Sequence, residues 1–154
     1  MLHGLKFNSN VALFVRDGEA MMVASFVVGN FTSGVVLMDA KRMLHNSCVY
    51  EVELRAVTWA VMMCLESNIM LDEIEVNNLL MAGWISSKNF KGASGLLLKD
   101  CVVLLEGMAT QIVKHVLRKS NMVAHLVAKF AKDMPINQSI WKDASLIPIC
   151  LEIL

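Results

Sequence analysis

The sequence has no excess of charge of either sign, because its 14 Lys and Arg residues equal its 14 Asp and Glu residues in number. A zero net charge excludes a whole-surface electrostatic attraction to nucleic acid, so such binding would need a local basic patch. Charged residues are also few, at 18% of the chain, whereas hydrophobic residues make up 56%. This composition excludes a disordered segment and indicates one folded domain.

Long hydrophobic runs are lacking as well. The longest lies around Ala60–Leu65 and is far shorter than the ~18 residues that a membrane-spanning helix needs. The first residues, Met1–Lys6, lack the basic flank and apolar run of a secretory signal. We therefore expect an intracellular protein that does not enter a membrane.

The sequence also lacks closely spaced cysteines, and it lacks prolines over most of its length. The four cysteines are widely separated, with no C-x-x-C pair and no histidine at zinc-binding spacing, so we expect buried free thiols. Only Pro135 and Pro148 occur, both near the C-terminus. We expect a domain over residues 1–134 without proline breaks, and a tail over residues 135–154 that packs on it.

Hydrophobic spacing in the first third of the chain predicts strands. The pair Asp17-Gly18 favours a tight reversal between apolar segments at Val11–Val15 and Ala20–Val28, which indicates a hairpin. The segment Ser33–Met38 is a candidate third strand or an extended edge.

The remaining chain alternates between helical and extended periods. Asn78 has the side chain of a helix cap. The order β-β-β-α-β-α-α-β-α predicts an α/β fold with a mixed sheet of about five strands covered by helices. Helices are predicted at Tyr50–Ser67, Leu79–Ser86, Leu96–Met108 and from Ser120 or Asn121 to Ala131, and strands at Asp72–Val76 and Gln111–Leu117.

Four segments follow one another along the chain: LFVRDGEAMMVAS at 13–25, YEVELRAVTWA at 50–60, IEVNNLL at 74–80 and RKSNMVAHLVAKFA at 118–131. In this order they resemble motifs of the ribonuclease H type 1 domain family, specifically its plant retroelement-type branch. The resemblance covers essentially the whole chain. It implies a ribonuclease H-like fold, nucleic acid as a partner, and hydrolysis of the RNA strand of an RNA–DNA hybrid with two Mg²⁺ ions.

The resemblance also assigns four catalytic positions to this sequence. The acid of the first helix falls on Glu53, which is intact and is the one candidate metal ligand. The first-strand and fourth-strand acids fall on Asn10 and Asn77, and the last-helix position falls on His125. An amide carries no charge and imidazole suits zinc better than Mg²⁺, which prefers carboxylates. We therefore expect Mg²⁺ binding and hybrid hydrolysis to be weak or absent.

Basic and polar residues near the last helix are the candidate contacts to nucleic acid. They are Lys114 at the end of a predicted strand, Arg118 and Lys119 in the turn after it, and Asn121. Contacts to phosphate and sugar account for half or more of the hydrogen bonds in protein–DNA complexes. The alternative is that these lysines lie on an ordinary solvated surface.

Three interpretations remain open at this point. The first is an active nuclease with a rearranged site around Glu53. The second is a domain that binds nucleic acid without cutting it. The third is a decayed retroelement fragment without a selected biochemical role, which would agree with a first hairpin that the resemblance suggests is shortened near Asn10–Val11.

Overall fold

The structure is a computed structural model that describes residues 4–30, 34–44, 49–92, 95–108, 110, 112–117, 122–132 and 138–141. Within these ranges no helix is both long and apolar enough to cross a membrane. The elements are β1 (Leu5–Arg16), β2 (Glu19–Asn30), β3 (Val35–Leu44), α1 (Val49–Glu66), β4 (Glu73–Val76), α2 (Leu79–Ser87), α3 (Gly95–Gly107), β5 (Ile112–His115), α4 (Met122–Lys132) and β6 (Gln138–Trp141).

The strands form one mixed sheet in the order β5-β4-β1-β2-β3-β6. The strand β1 pairs antiparallel with β2 and parallel with β4, and β4 pairs parallel with β5. This arrangement confirms the predicted α/β fold. The sheet has one strand more than the expected five or so, because β6 pairs with Met38–Lys41 of β3.

The first hairpin is paired along its whole length. Both β1 and β2 have 12 residues and pair without interruption from Leu5 and Asn30 to Arg16 and Glu19. The polar residues at 8–10 lie in the interior of β1, which pairs with β2 throughout and with β4 at Lys6, Phe7 and Asn8. The reversal is made by Asp17 and Gly18, which both have positive φ, as tight hairpin turns require.

Helices cover both faces of the sheet. The helices α1, α2 and α3 pack on one face, where Phe7 stacks on Phe26 and Phe26 meets the edge of Trp59. The other face carries α4, whose buried residues Ala124, Val127 and Ala128 pack on β2 and β3. The sheet is therefore the middle layer, and its α4 face is where β1 and β4 present polar residues.

The predicted helices agree well with those observed. The helix α1 begins and ends within one residue of its predicted bounds, and the Asn78 side chain accepts a hydrogen bond from the Met81 N–H at 3.0 Å. The thiols of Cys64 and Cys101 are free and buried, as predicted, and burial raises their pKa to about 12 and about 11. Cys48 and Cys150 lie outside the described residues.

The division into a domain over 1–134 and a tail over 135–154 stays a prediction. Of that tail the structure describes only residues 138–141, which belong to the same sheet as the preceding strands.

Candidate functional site

Three of the four assigned positions contact one another on the α4 face of the sheet. Asn77 directly follows β4, and its Nδ2 donates to Asn10 Oδ1 of β1 at 3.5 Å. Asn10 Nδ2 lies 3.4 Å from His125 Nδ1 of α4. We call Asn10, Asn77 and His125 the amide–imidazole cluster. Asn10, at 6% exposure, is its buried centre.

The sheet and α4 fix this cluster in place. Parallel pairing aligns Asn8 of β1 with Glu75 of β4, so the residues two positions further along both strands, Asn10 and Asn77, share a face. The buried Ser25 hydroxyl of β2 donates to the Ala124 carbonyl of α4 at 2.6 Å. This bond and the buried apolar face of α4 hold His125 above β1.

Glu53 reaches the cluster through an intermediate residue. Its Oε2 accepts a hydrogen bond from Asn78 Nδ2 at 2.7 Å, and Asn78 is the neighbour of Asn77 and the cap of α2. Burial raises the pKa of the Glu53 carboxyl, and the hydrogen bond from Asn78 offsets part of that increase. Sequence reasoning identified Asn78 only as a helix cap and missed its bond to Glu53, for which the sequence holds no signal.

These residues do not fit two Mg²⁺ ions. Of the four assigned positions only Glu53 is a carboxylate, the ligand type that Mg²⁺ prefers. Two divalent ions would bring a formal charge of about +4 to a site that carries at most about −1. Over the part of the chain that is described, no group of three His, Cys, Asp or Glu side chains could hold a metal ion.

A second polar group lies beside the cluster on the same sheet face. We call Lys6, Asn8, Glu73, Glu75 and Lys114 the charged cluster. Glu75 accepts from Asn8 Nδ2 at 2.6 Å and lies 3.8 Å from the Lys6 ammonium, while Lys114 Nζ lies 2.5 Å from Glu73 and 3.3 Å from Glu75. Its two carboxylates are thus matched by two ammonium groups.

Burial and ion pairing act on Glu75 in opposite directions. Burial by itself raises the pKa of Glu75, but the hydrogen bond from Asn8 and the positive charges of Lys6 and Lys114 outweigh it, and the pKa lies below its usual value. The adjacent Glu73 carboxylate is the main cause of the raised pKa of Lys114. Lys114, a predicted nucleic-acid contact, is therefore already engaged by two carboxylates.

The other predicted contacts to nucleic acid, Arg118, Lys119 and Asn121, lie outside the described residues. They stay predictions.

The order of strands, the helices on both faces and the meeting of β1, β4, α1 and α4 at one polar site define a ribonuclease H-like domain. The chain belongs to the reverse transcriptase-like family, whose model matches residues 8–131 and so includes all four assigned positions. The plant retroelement-type branch stays a prediction. A search of curated protein sequences finds no significant match.

Solved structures share this fold at low sequence identity. RNase H1 from the archaeon Halobacterium salinarum is 18% identical with a TM-score of 0.64, and the match covers 84% of this chain and 96% of that one. The N-terminal RNase H domain of a Mycobacterium tuberculosis protein is 14% identical with a TM-score of 0.63, covering 84% and 93%. LC11-RNase H1, isolated from compost and solved in complex with an RNA/DNA hybrid, is 12% identical with a TM-score of 0.63, covering 82% and 94%.

Proposed function

We propose that this domain binds nucleic acid, with an RNA–DNA hybrid as the first ligand to test, and does not hydrolyse it by a two-metal reaction. Membership of the reverse transcriptase-like family and the likeness to ribonuclease H structures support the first half. One of those structures, LC11-RNase H1, is a complex with an RNA/DNA hybrid. The chemistry of the site supports the second half.

The observation that carries the proposal is the contact between Asn10, Asn77 and His125, at 3.5 and 3.4 Å. These positions come from three separate elements and still meet at one site, so the framework of the site is intact. What differs is charge, because two amides and an imidazole stand at three of the four positions where acids would hold metal ions. A framework that keeps its geometry but has only one of four carboxylates supports binding without hydrolysis.

Nucleic acid would also need basic contacts, since the chain has no net charge. We propose Arg118, Lys119 and Asn121 for this role. Lys114 is a weaker candidate, because its ammonium lies 2.5 Å from the Glu73 carboxylate. Such contacts make affinity fall steeply with salt, since each neutralised phosphate releases condensed counterions.

The test is a binding and cleavage assay with fluorescent RNA–DNA hybrid, double-stranded RNA and double-stranded DNA, each with Mg²⁺ and with EDTA. We expect salt-dependent binding, weakened by the double substitution Arg118→Ala and Lys119→Ala, and no cleavage of the hybrid. Mg²⁺-dependent cleavage abolished by Glu53→Gln would establish an active nuclease instead. An absence of binding to all three duplexes at low salt would contradict the proposal. It would favour the interpretation that the chain is a decayed retroelement fragment without a selected biochemical role.

A further inference from the structure

We infer that the amide–imidazole cluster binds a phosphodiester group of the nucleic acid directly, without a bridging metal ion. This inference rests on the proposed function and concerns its mode of binding. It depends on the hydrogen-bond donors of the cluster, the charges around it and the helices that begin beside it.

The cluster has donors suited to an anion. Each asparagine amide nitrogen carries two hydrogens. Asn77 Nδ2 directs one to Asn10, and Asn10 Nδ2 directs one towards His125, so each nitrogen keeps a second N–H. Asn77 is only partly buried, which opens the cluster to solvent. Phosphate oxygens accept hydrogen bonds from asparagine side chains in protein–nucleic-acid interfaces.

The cluster is surrounded by less unpaired negative charge than a site built from several carboxylates. Asn10 and Asn77 are neutral, and the Glu53 carboxylate is directed to Asn78. The nearest acids along the strands, Glu73 and Glu75, are paired with Lys114 and Lys6. A site with several carboxylates repels phosphate unless cations intervene, whereas this one needs no cation to admit it.

Two helices begin beside the cluster and add to the preference for an anion. Asn78, next to Asn77, caps the nine-residue helix α2, and His125 is the fourth residue of the 11-residue helix α4. The N-terminal end of a helix carries a partial positive charge that favours anions over cations. The helix ends and the amide donors therefore favour the same ligand.

The experiment measures the affinity for a short fluorescent RNA–DNA hybrid by anisotropy, in EDTA and in Mg²⁺, at one fixed ionic strength. We expect the wild-type chain to bind equally well in both. The variants Asn77→Asp and Asn10→Asp/Asn77→Asp place negative charge against the phosphate. Each added carboxylate is expected to weaken binding in EDTA by about tenfold or more.

The matched control makes the same Asn-to-Asp substitution at a position away from the amide–imidazole cluster. Asn68→Asp makes the same change in the turn after α1, at the opposite end of that helix from Glu53, where φ is +55° and Asp is tolerated. It is expected to leave the affinity unchanged. Thermal unfolding of each variant checks the fold, and Asn77→Asp, which alters the less buried asparagine, keeps the test valid if the double variant does not fold.

The outcomes separate this inference from the proposed function. Binding that requires Mg²⁺, or folded Asn77→Asp and double variants that bind as tightly as wild type in EDTA, would overturn direct phosphate binding while the proposed function stands. No binding in either buffer would overturn both. Equal wild-type affinity in both buffers, with selective loss in the variants that carry Asn77→Asp and not in Asn68→Asp, supports the inference.

Discussion

Two polar clusters lie side by side on one face of the sheet, separated by a single step of two residues along β1 and β4. The amide–imidazole cluster contains Asn10 and Asn77, and the charged cluster contains Asn8 and Glu75 at the preceding step. One step along a strand spans about 6.6–6.8 Å. The nearer acid of β4, Glu75, therefore lies one step away from Asn77, the position to which the family resemblance assigns an acid.

The difference shows that the position and partners of a carboxylate decide its role. Glu73 and Glu75 are buried to 7% and 6% exposure, yet lysines and Asn8 already engage their carboxylates. The neighbouring cluster has amide donors and a partly exposed member, Asn77, but no carboxylate of its own to hold a cation. The same sheet face thus carries a structural ion-pair group and a candidate anion site.

The largest expected effect comes from restoring acids to the amide–imidazole cluster. The triple substitution Asn10→Asp, Asn77→Asp and His125→Asp gives four carboxylates with Glu53, so Mg²⁺ affinity is expected to rise from undetectable to stoichiometric binding. Calorimetric titration with Mg²⁺ measures this change, with Asn68→Asp as the control. A folded triple variant that still does not bind Mg²⁺ would show that the missing carboxylates are not the reason why this site lacks Mg²⁺ affinity.

Removing a cation from the charged cluster should destabilise the fold. Lys114→Met leaves the buried carboxylates of Glu73 and Glu75 without their shared partner, and the free energy of unfolding is expected to fall by about 1–3 kcal/mol. The loss stays below that for a fully buried pair because the lysine side chain is 48% exposed.

Urea denaturation compares this variant with Lys88→Met. Lys88 pairs with Glu106 at 2.6 Å, but both side chains are more than half exposed. That control is expected to cost less than about 1 kcal/mol. Equal losses in the two variants would mean that the charged cluster is no more than an ordinary surface group.

The link between Glu53 and the amide–imidazole cluster should contribute a smaller amount. Asn78→Ala removes the cap of α2 and the hydrogen bond to Glu53, so a loss of about 1 kcal/mol in unfolding free energy is expected. Asn78→Ser keeps a capping oxygen and is expected to recover most of this loss. If the two variants are equally unstable, capping is not the contribution that Asn78 makes.

The smallest effect is a dependence of stability on pH. Because the folded-state pKa of Glu75 lies below its ordinary value of 4.5, its ionised form stabilises the fold above that pH, and the contribution is lost as pH falls through the folded pKa. For Lys114 the pKa lies above 10.5, so its contribution is lost as pH rises through the folded pKa. Glu75→Gln is expected to flatten the acid limb in denaturation curves at several pH values, and an unchanged acid limb would contradict this assignment.

The helical part of the fold could be predicted from local patterns. Apolar residues at helical spacing located α1, and Asn78 marked the start of α2, because both signals are carried by residues close in sequence. The first strand was harder to predict from local patterns. Its polar residues Asn8 and Asn10 have partners in β4 and α4, which are far away in the chain.

The candidate site could be predicted only in part, and for a related reason. The family resemblance placed Asn10, Asn77 and His125, and the structure brings them into contact. The bond from Asn78 to Glu53 and the ion pairs of Lys114 depend on side-chain geometry between elements, and no spacing in the sequence encodes them.

Calorimetric titration of the wild-type chain with Mg²⁺ tests the central claim most directly. We expect no stoichiometric binding, because a single carboxylate, two amides and an imidazole occupy the four positions. Tight binding of two Mg²⁺ ions that is lost in Glu53→Gln would contradict the account.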